Sequence, residues 1–162
     1  MCSAAPLSLA LLALLVGCAE PTPAATPAAE ELAPVERGPE YDFPLGQRLF
    51  DLWREDAPHA HATSSLHRGR LAPGRPAENL VVLTGVRCYQ ILAVVERPTP
   101  GLRLTLFDPT GVPQVRAEGD SDSLSLGHDE PICPGAPGRY RLRLEGDGET
   151  AYALRVYGAM SL

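Results

Sequence analysis

Arg139, Arg141 and Arg143 alternate with Tyr140, Leu142 and Leu144, and Arg155 stands in a second alternating run with Tyr152, Leu154 and Val156. Successive side chains of a strand point to opposite faces. If Leu142 and Leu154 both face a core, parity puts all four arginines on the other face. Like charges set beside one another across strands are destabilising unless an anion lies between them. The guanidinium group is a planar fork of donors that suits carboxylate and phosphate. These four residues are therefore a candidate anion-binding row, fit for an anionic glycan, a lipid phosphate or the carboxylates of an envelope protein. The plainer alternative is that Glu96, Glu118 or Glu145 screens them, or that water does.

Other chemistry is weaker. His59 and His61 would share one side of an extended segment, with His67 a little further on. Zinc needs three or four ligands held in place, and no such set is spaced here, so a solvated loop is expected. Asp120, Asp122, Asp129 and Glu130 offer oxygen ligands near Gly119 and Gly127, but without EF-hand spacing. An acidic turn is expected there. The chain has no GxSxG, HExxH, P-loop or GxGxxG pattern. With His128 the only other histidine, the expectation is a non-enzyme without metal or cofactor; the alternative is a small metal-dependent or hydrolytic enzyme built on the histidine loops. The net charge of −6 excludes a sequence-independent grip on nucleic acid, which needs a basic footprint.

The elements that must position these residues begin with a leader. Leu7 to Val16 is apolar except for Ser8. That is shorter than the roughly 20 residues of a membrane span, but it has the length of a signal-peptide core. Leu15-Val16-Gly17-Cys18 follows, and it resembles the lipobox of bacterial lipoproteins. The resemblance implies that residues 1–17 are a removed signal peptide and that Cys18 is acylated, so one partner is the membrane itself. Several acyl chains on one residue hold far longer than a single chain. Ala19, not Asp, after the cysteine implies the outer membrane in a two-membrane cell. Cys2 leaves with the signal peptide, so Cys88 and Cys133 remain as a pair in an oxidising compartment, and a disulfide is expected. Closing a loop of that length contributes about 4 kcal/mol. A metal site or a redox couple is the alternative, although no CxxC is present.

Residues 18–40, with Pro at 21, 23, 27, 34 and 39, read as a disordered linker that buries too little to offset its ordering entropy. Residues 41–78 read as a lead-in. Within it Pro44 to Arg54 forms a short amphipathic helix, with Leu45, Leu49, Leu52 and Trp53 at helical spacing, and 56–78 is irregular. That apolar stripe either packs on the domain or docks a partner of an envelope complex.

Residues 79–162 read as an antiparallel β-sandwich. Leu80–Thr84 and Cys88–Glu96 are nearly continuous apolar runs, Leu102, Leu104 and Leu106 alternate, and weaker strands surround Val115 and Leu124. Asp108-Pro109-Thr110-Gly111 has the residues of a type I turn. The two closing runs, joined by Gly146-Asp147-Gly148, read as a hairpin. GLRLTLFDPTG (101–111) and PGRYRLRLEGDGETAYALRVYG (137–158) resemble the bacterial pre-peptidase C-terminal type of β-sandwich. That resemblance implies a jelly-roll-like, usually non-catalytic module of secreted proteins; it bears on fold and not on ligand.

Overall fold

Short alternating runs punctuated by Gly, Pro and Asp are what an antiparallel sheet with one buried face requires. The computed structural model describes residues 38–160. The expected signal segment 1–17, the expected acylation site Cys18 and the expected linker as far as residue 37 lie outside the described residues. The strands are β1 (His61–Ala62), β2 (His67–Leu71), β3 (Ala77–Leu83), β4 (Arg87–Val95), β5 (Leu102–Phe107), β6 (Pro113–Gly119), β7 (Ser123–Leu126), β8 (Gly138–Glu145) and β9 (Thr150–Met160).

They form two antiparallel sheets packed face to face. In the first, β9 has β4 on one side and both β1 and β2 on the other, and β7 flanks β4. The second runs β3-β8-β5-β6. Leu83, Ile91, Leu104, Leu106, Leu142 and Leu154 are fully buried between them. Each such side chain contributes about 1.5–3 kcal/mol by leaving water. The fold is the expected β-sandwich with one helix near its start.

That helix, α1 (Pro44–Asp56), has proline in its first turn, where no N–H is missed. It lies on the outer face of the first sheet, where Leu49, Phe50 and Trp53 form a second core with Leu92, Val94, Ala153 and Tyr157. Strand β4 is therefore buried on both faces from Ile91 to Val95, which is why Cys88–Glu96 reads as a nearly continuous apolar run. Leu45, Leu49 and Trp53 of the α1 stripe are spent on this packing, and Leu52 is partly buried against it.

Three expectations need correction. First, β8 and β9 are not a hairpin: β8 pairs with β3 and β5, and β9 with β4, β2 and β1. Gly146-Asp147-Gly148 carries the chain from one sheet to the other. A Cβ at Gly146 or Gly148 would lie 2.8 or 2.4 Å from Thr99 side-chain atoms, so these glycines serve a close approach. Second, 56–78 is not wholly irregular. Strand β2 pairs along β9 from His67↔Leu154 to Leu71↔Thr150. It escaped notice because a short, charged edge strand carries little apolar alternation. Third, the expected linker ends early: Pro39–Tyr41 is a 3-10 turn, and Glu40 holds Arg155. By contrast, the expected turn forms as read, with the Gly111 N–H donating to the Asp108 carbonyl at 3.0 Å. Cys88, at the start of β4, is joined by a disulfide to Cys133 in the β7–β8 connection.

Candidate functional site

Helix α1 covers the outer face of the first sheet, packing on β4 and β9. The outer face of the second sheet is where three of the four arginines lie. Its inward residues are Val81 and Leu83 of β3, Leu142 and Leu144 of β8, and Leu104 and Leu106 of β5. Alternation therefore turns Glu78, Leu80 and Val82 outward, with Arg139, Arg141, Arg143, Arg103 and Phe107 beside them.

The register orders these side chains into rows. Glu78, Arg143, Thr105 and Arg116 form one row across β3, β8, β5 and β6; Leu80, Arg141 and Phe107 form the next; Val82 and Arg139 form a third. Arg143 donates to Glu78 Oε1 from Nε at 2.9 Å and from Nη2 at 2.7 Å. Arg141 Nε is 4.0 Å from the same oxygen, too long for a hydrogen bond, and this buried nitrogen has no hydrogen-bond partner. Both guanidiniums stack on Phe107, at 4.9 and 5.4 Å from its ring centre. Thr105 is buried although it faces outward, and the register sets it between Arg143 and Arg116. A groove of about 360 Å³ runs beside Phe107, lined by Arg103, Thr105, Gln114 and Arg116.

Charge on this face is unbalanced. Glu118 takes Arg103 at 3.3 Å and Arg116 at 3.6 Å, and Glu145 lies 4.0 Å from Arg103. With Glu78, three carboxylates stand against five guanidiniums. The surplus falls on the β8–β3 side, where Arg141 and Arg143 share Glu78 and Arg139 is exposed. The Arg143 hydrogen bond holds the Glu78 carboxyl below its ordinary range. Leu80 and Val82, 65% and 67% exposed, lie against this surplus. The expected screening by Glu96 does not occur here: Glu96 follows β4 in the other sheet.

Arg155 is not part of the row. It lies on the outer face of the first sheet with its side chain 13% exposed. It donates to the Tyr41 hydroxyl at 2.6 Å, Glu40 Oε1 at 3.2 Å and the Ser64 carbonyl at 3.1 Å. Tyr157 meets Tyr41 at 3.2 Å, and burial pushes its hydroxyl far up from the ordinary tyrosine value, so it stays neutral. This cluster fastens the 3-10 turn and α1 to β9. Parity was sound for each strand, but the two strands belong to different sheets, so the shared face dissolved.

The histidines do not converge. His59, His61 and His128 are exposed, and His67 is half-buried on β2, its pKa lowered by burial. Asp122 pairs with Arg48, and Asp120 accepts the Gly101 N–H at 3.0 Å. Among the described residues no group of three or more His, Cys, Asp or Glu side chains is placed to hold a metal ion. Reading the sequence missed Glu78, Leu80, Val82 and Phe107. The alternation of Val81 and Leu83 with these β3 neighbours is a usable signal, masked by the run Leu80-Val81-Val82-Leu83 being apolar throughout.

No protein-family model matches the chain, and no curated protein matches it.

Proposed function

We propose that this chain is a lipid-anchored, non-catalytic module of the bacterial envelope that binds an acidic partner through the open face of the β3-β8-β5-β6 sheet. The observation that carries this reading is the guanidinium surplus of Arg139, Arg141 and Arg143, three against the single carboxylate of Glu78, beside exposed Leu80 and Val82. Arginine mixed with apolar side chains is the composition of protein interfaces, so an envelope protein with acidic side chains fits better than an anionic glycan. The Cys88–Cys133 disulfide supports an extracytoplasmic location. The Leu15-Val16-Gly17-Cys18 sequence supports anchorage by acylation of Cys18, and Ala19 supports retention at the outer membrane of a two-membrane cell. The resemblance of 101–111 and 137–158 to pre-peptidase C-terminal sandwiches agrees with a non-catalytic role.

The test is an affinity pull-down with the acylated protein from native envelope, against the double variant Arg141→Gln/Arg143→Gln. Two lost charge-assisted contacts of about 1.5 kcal/mol each should weaken capture about a hundredfold at low salt. Capture unchanged by the double variant, with its fold intact by circular dichroism, rejects the face. An intact mass that retains Met1 and carries no acyl group rejects the anchor.

A further inference from the structure

Sandwiches have edges, and natural proteins guard them with charge, proline, bulges or brevity. Three of the edges here are guarded. Strand β2 carries Arg68 and Arg70 around Gly69, β6 opens with Pro113 and carries Arg116 and Glu118, and β7 has only four residues. Strand β3 is different. It is a seven-residue edge without proline, glycine, lysine or arginine, and its one charge is Glu78. Among the described residues, two of the four exposed large apolar side chains, Leu80 and Val82, stand on it, and Val86 follows closely.

We infer that β3 pairs antiparallel with β3 of a second copy of this chain, on a two-fold axis through Leu80, joining the two open sheets into one. The strand is symmetric about that residue. With Leu80 opposite its mate, Ala77 falls opposite Leu83 of the partner, Glu78 opposite Val82 and Asn79 opposite Val81, so every residue of β3 finds a pair. Leu80 packs on Leu80 at the centre. Charges complement as well. Arg139 neighbours Val82 in the monomer, so the partner's Glu78 comes to lie two strand spacings away, roughly 10 Å between Cα atoms. An arginine and a glutamate side chain together span that distance above the short valine. Arg139, which has no ion-pair partner among the described residues, thereby gains one, and the operation supplies it twice. No like charges meet across the seam. Such an interface is isologous and closed, so association stops at the dimer.

Because opposed Cβ atoms in antiparallel pairs lie about 5 Å apart, Leu80→Cys tests the register directly. The full chain in detergent, carrying Cys2→Ser and Cys18→Ser to remove other thiols, is oxidised mildly as the Leu80→Cys or the Val112→Cys variant. Both positions are exposed, so neither substitution threatens the fold. Leu80→Cys should convert to a disulfide-linked dimer and Val112→Cys should not. Adding Arg139→Glu, which sets a carboxylate toward the partner's Glu78, should slow linkage about fivefold. In sedimentation, the Leu80→Lys/Val82→Lys variant should be monomeric under conditions where the parent is a dimer. Equal linkage from positions 80 and 112, linkage unaffected by Arg139→Glu, or a parent monomeric throughout overturns the inference. None of these readouts depends on an acidic envelope partner.

Discussion

Arg155 of β9 donates a 2.6 Å hydrogen bond to the hydroxyl of Tyr41, a residue far away in sequence that sits in the 3-10 turn before α1. The same guanidinium takes Glu40 and the Ser64 carbonyl, so one side chain ties the N-terminal part of the described region to the sheet. Removing it leaves a carboxylate and a buried hydroxyl short of a partner. Arg155→Gln should therefore cost about 2–4 kcal/mol in urea denaturation. Arg141→Gln, on the open face, should cost under about 1 kcal/mol. Equal losses would mean that the two arginines do the same job.

Glu78 lies between Arg141 and Arg143, and the Arg143 hydrogen bond lowers its carboxyl pKa. A carboxyl with a folded pKa below its unfolded one adds stability above the unfolded value, and that stability is lost as pH falls through the folded value. The side chain is 40% exposed, so solvent screening keeps the effect small. Glu78→Gln should lower stability by less than about 1 kcal/mol at neutral pH. The difference from the parent should vanish in acid below the carboxylate range. Because it frees two guanidiniums, the same variant should bind the acidic partner more tightly.

His67 points a buried Nε2 at no hydrogen-bond partner, and burial lowers its pKa from the ordinary histidine value. The unfolded chain then takes up the proton first, so stability falls as pH drops below the unfolded value and levels off below the folded one. Melting temperatures of the parent and His67→Leu, measured from pH 8 to pH 4, should diverge in that window, with the variant less acid-sensitive. Parallel curves would exclude His67 as a source of acid sensitivity.

Trp53 is the only tryptophan. It is buried on the inner side of α1, stacked on Tyr157 at 6.1 Å, and its indole N–H donates to the Ala60 carbonyl at 2.8 Å. Its fluorescence should be blue-shifted in the native state and move to the red on unfolding. Trp53→Ala should cost about 3–5 kcal/mol. A small cost would show that α1 contributes little to the sandwich.

The disulfide joins the start of β4 to the β7–β8 connection. Cys133→Ser should lower stability by about 4 kcal/mol, chiefly through the freedom returned to the unfolded chain. Reductant should destabilise the parent alone and bring it level with the variant. A variant as stable as the oxidised parent would show that the cross-link constrains nothing.

Much of the fold was legible along the chain because its cause is local. The Pro44–Arg54 helix, the strands from β3 to β9 and the Asp108–Gly111 turn all follow from residue period and from proline and glycine chemistry. The candidate site was legible only in part. Arg139, Arg141 and Arg143 share a face because parity within one strand is a local property. Arg155 left that face, and Glu78 and Leu80 entered it, because strand partners are chosen by packing over long sequence distances.

Sequence alone determined that this chain makes a sandwich with a helix on it, since burying one side of each alternating run leaves few other solutions. It also singled out Cys88 and Cys133 as the expected disulfide pair, which the structure joins. Only the tertiary structure decided that β8 and β9 part into different sheets, that α1 shields one outer face and that, among the described residues, no element covers the other. The reason is physical: β8 pairs with β3 and β5 while β9 pairs with β4, so the segment that looked like a hairpin turn crosses between layers, and Gly146 and Gly148 admit the close approach of Thr99 there. A period of two tells each side chain to face in or out, but not out of which sheet.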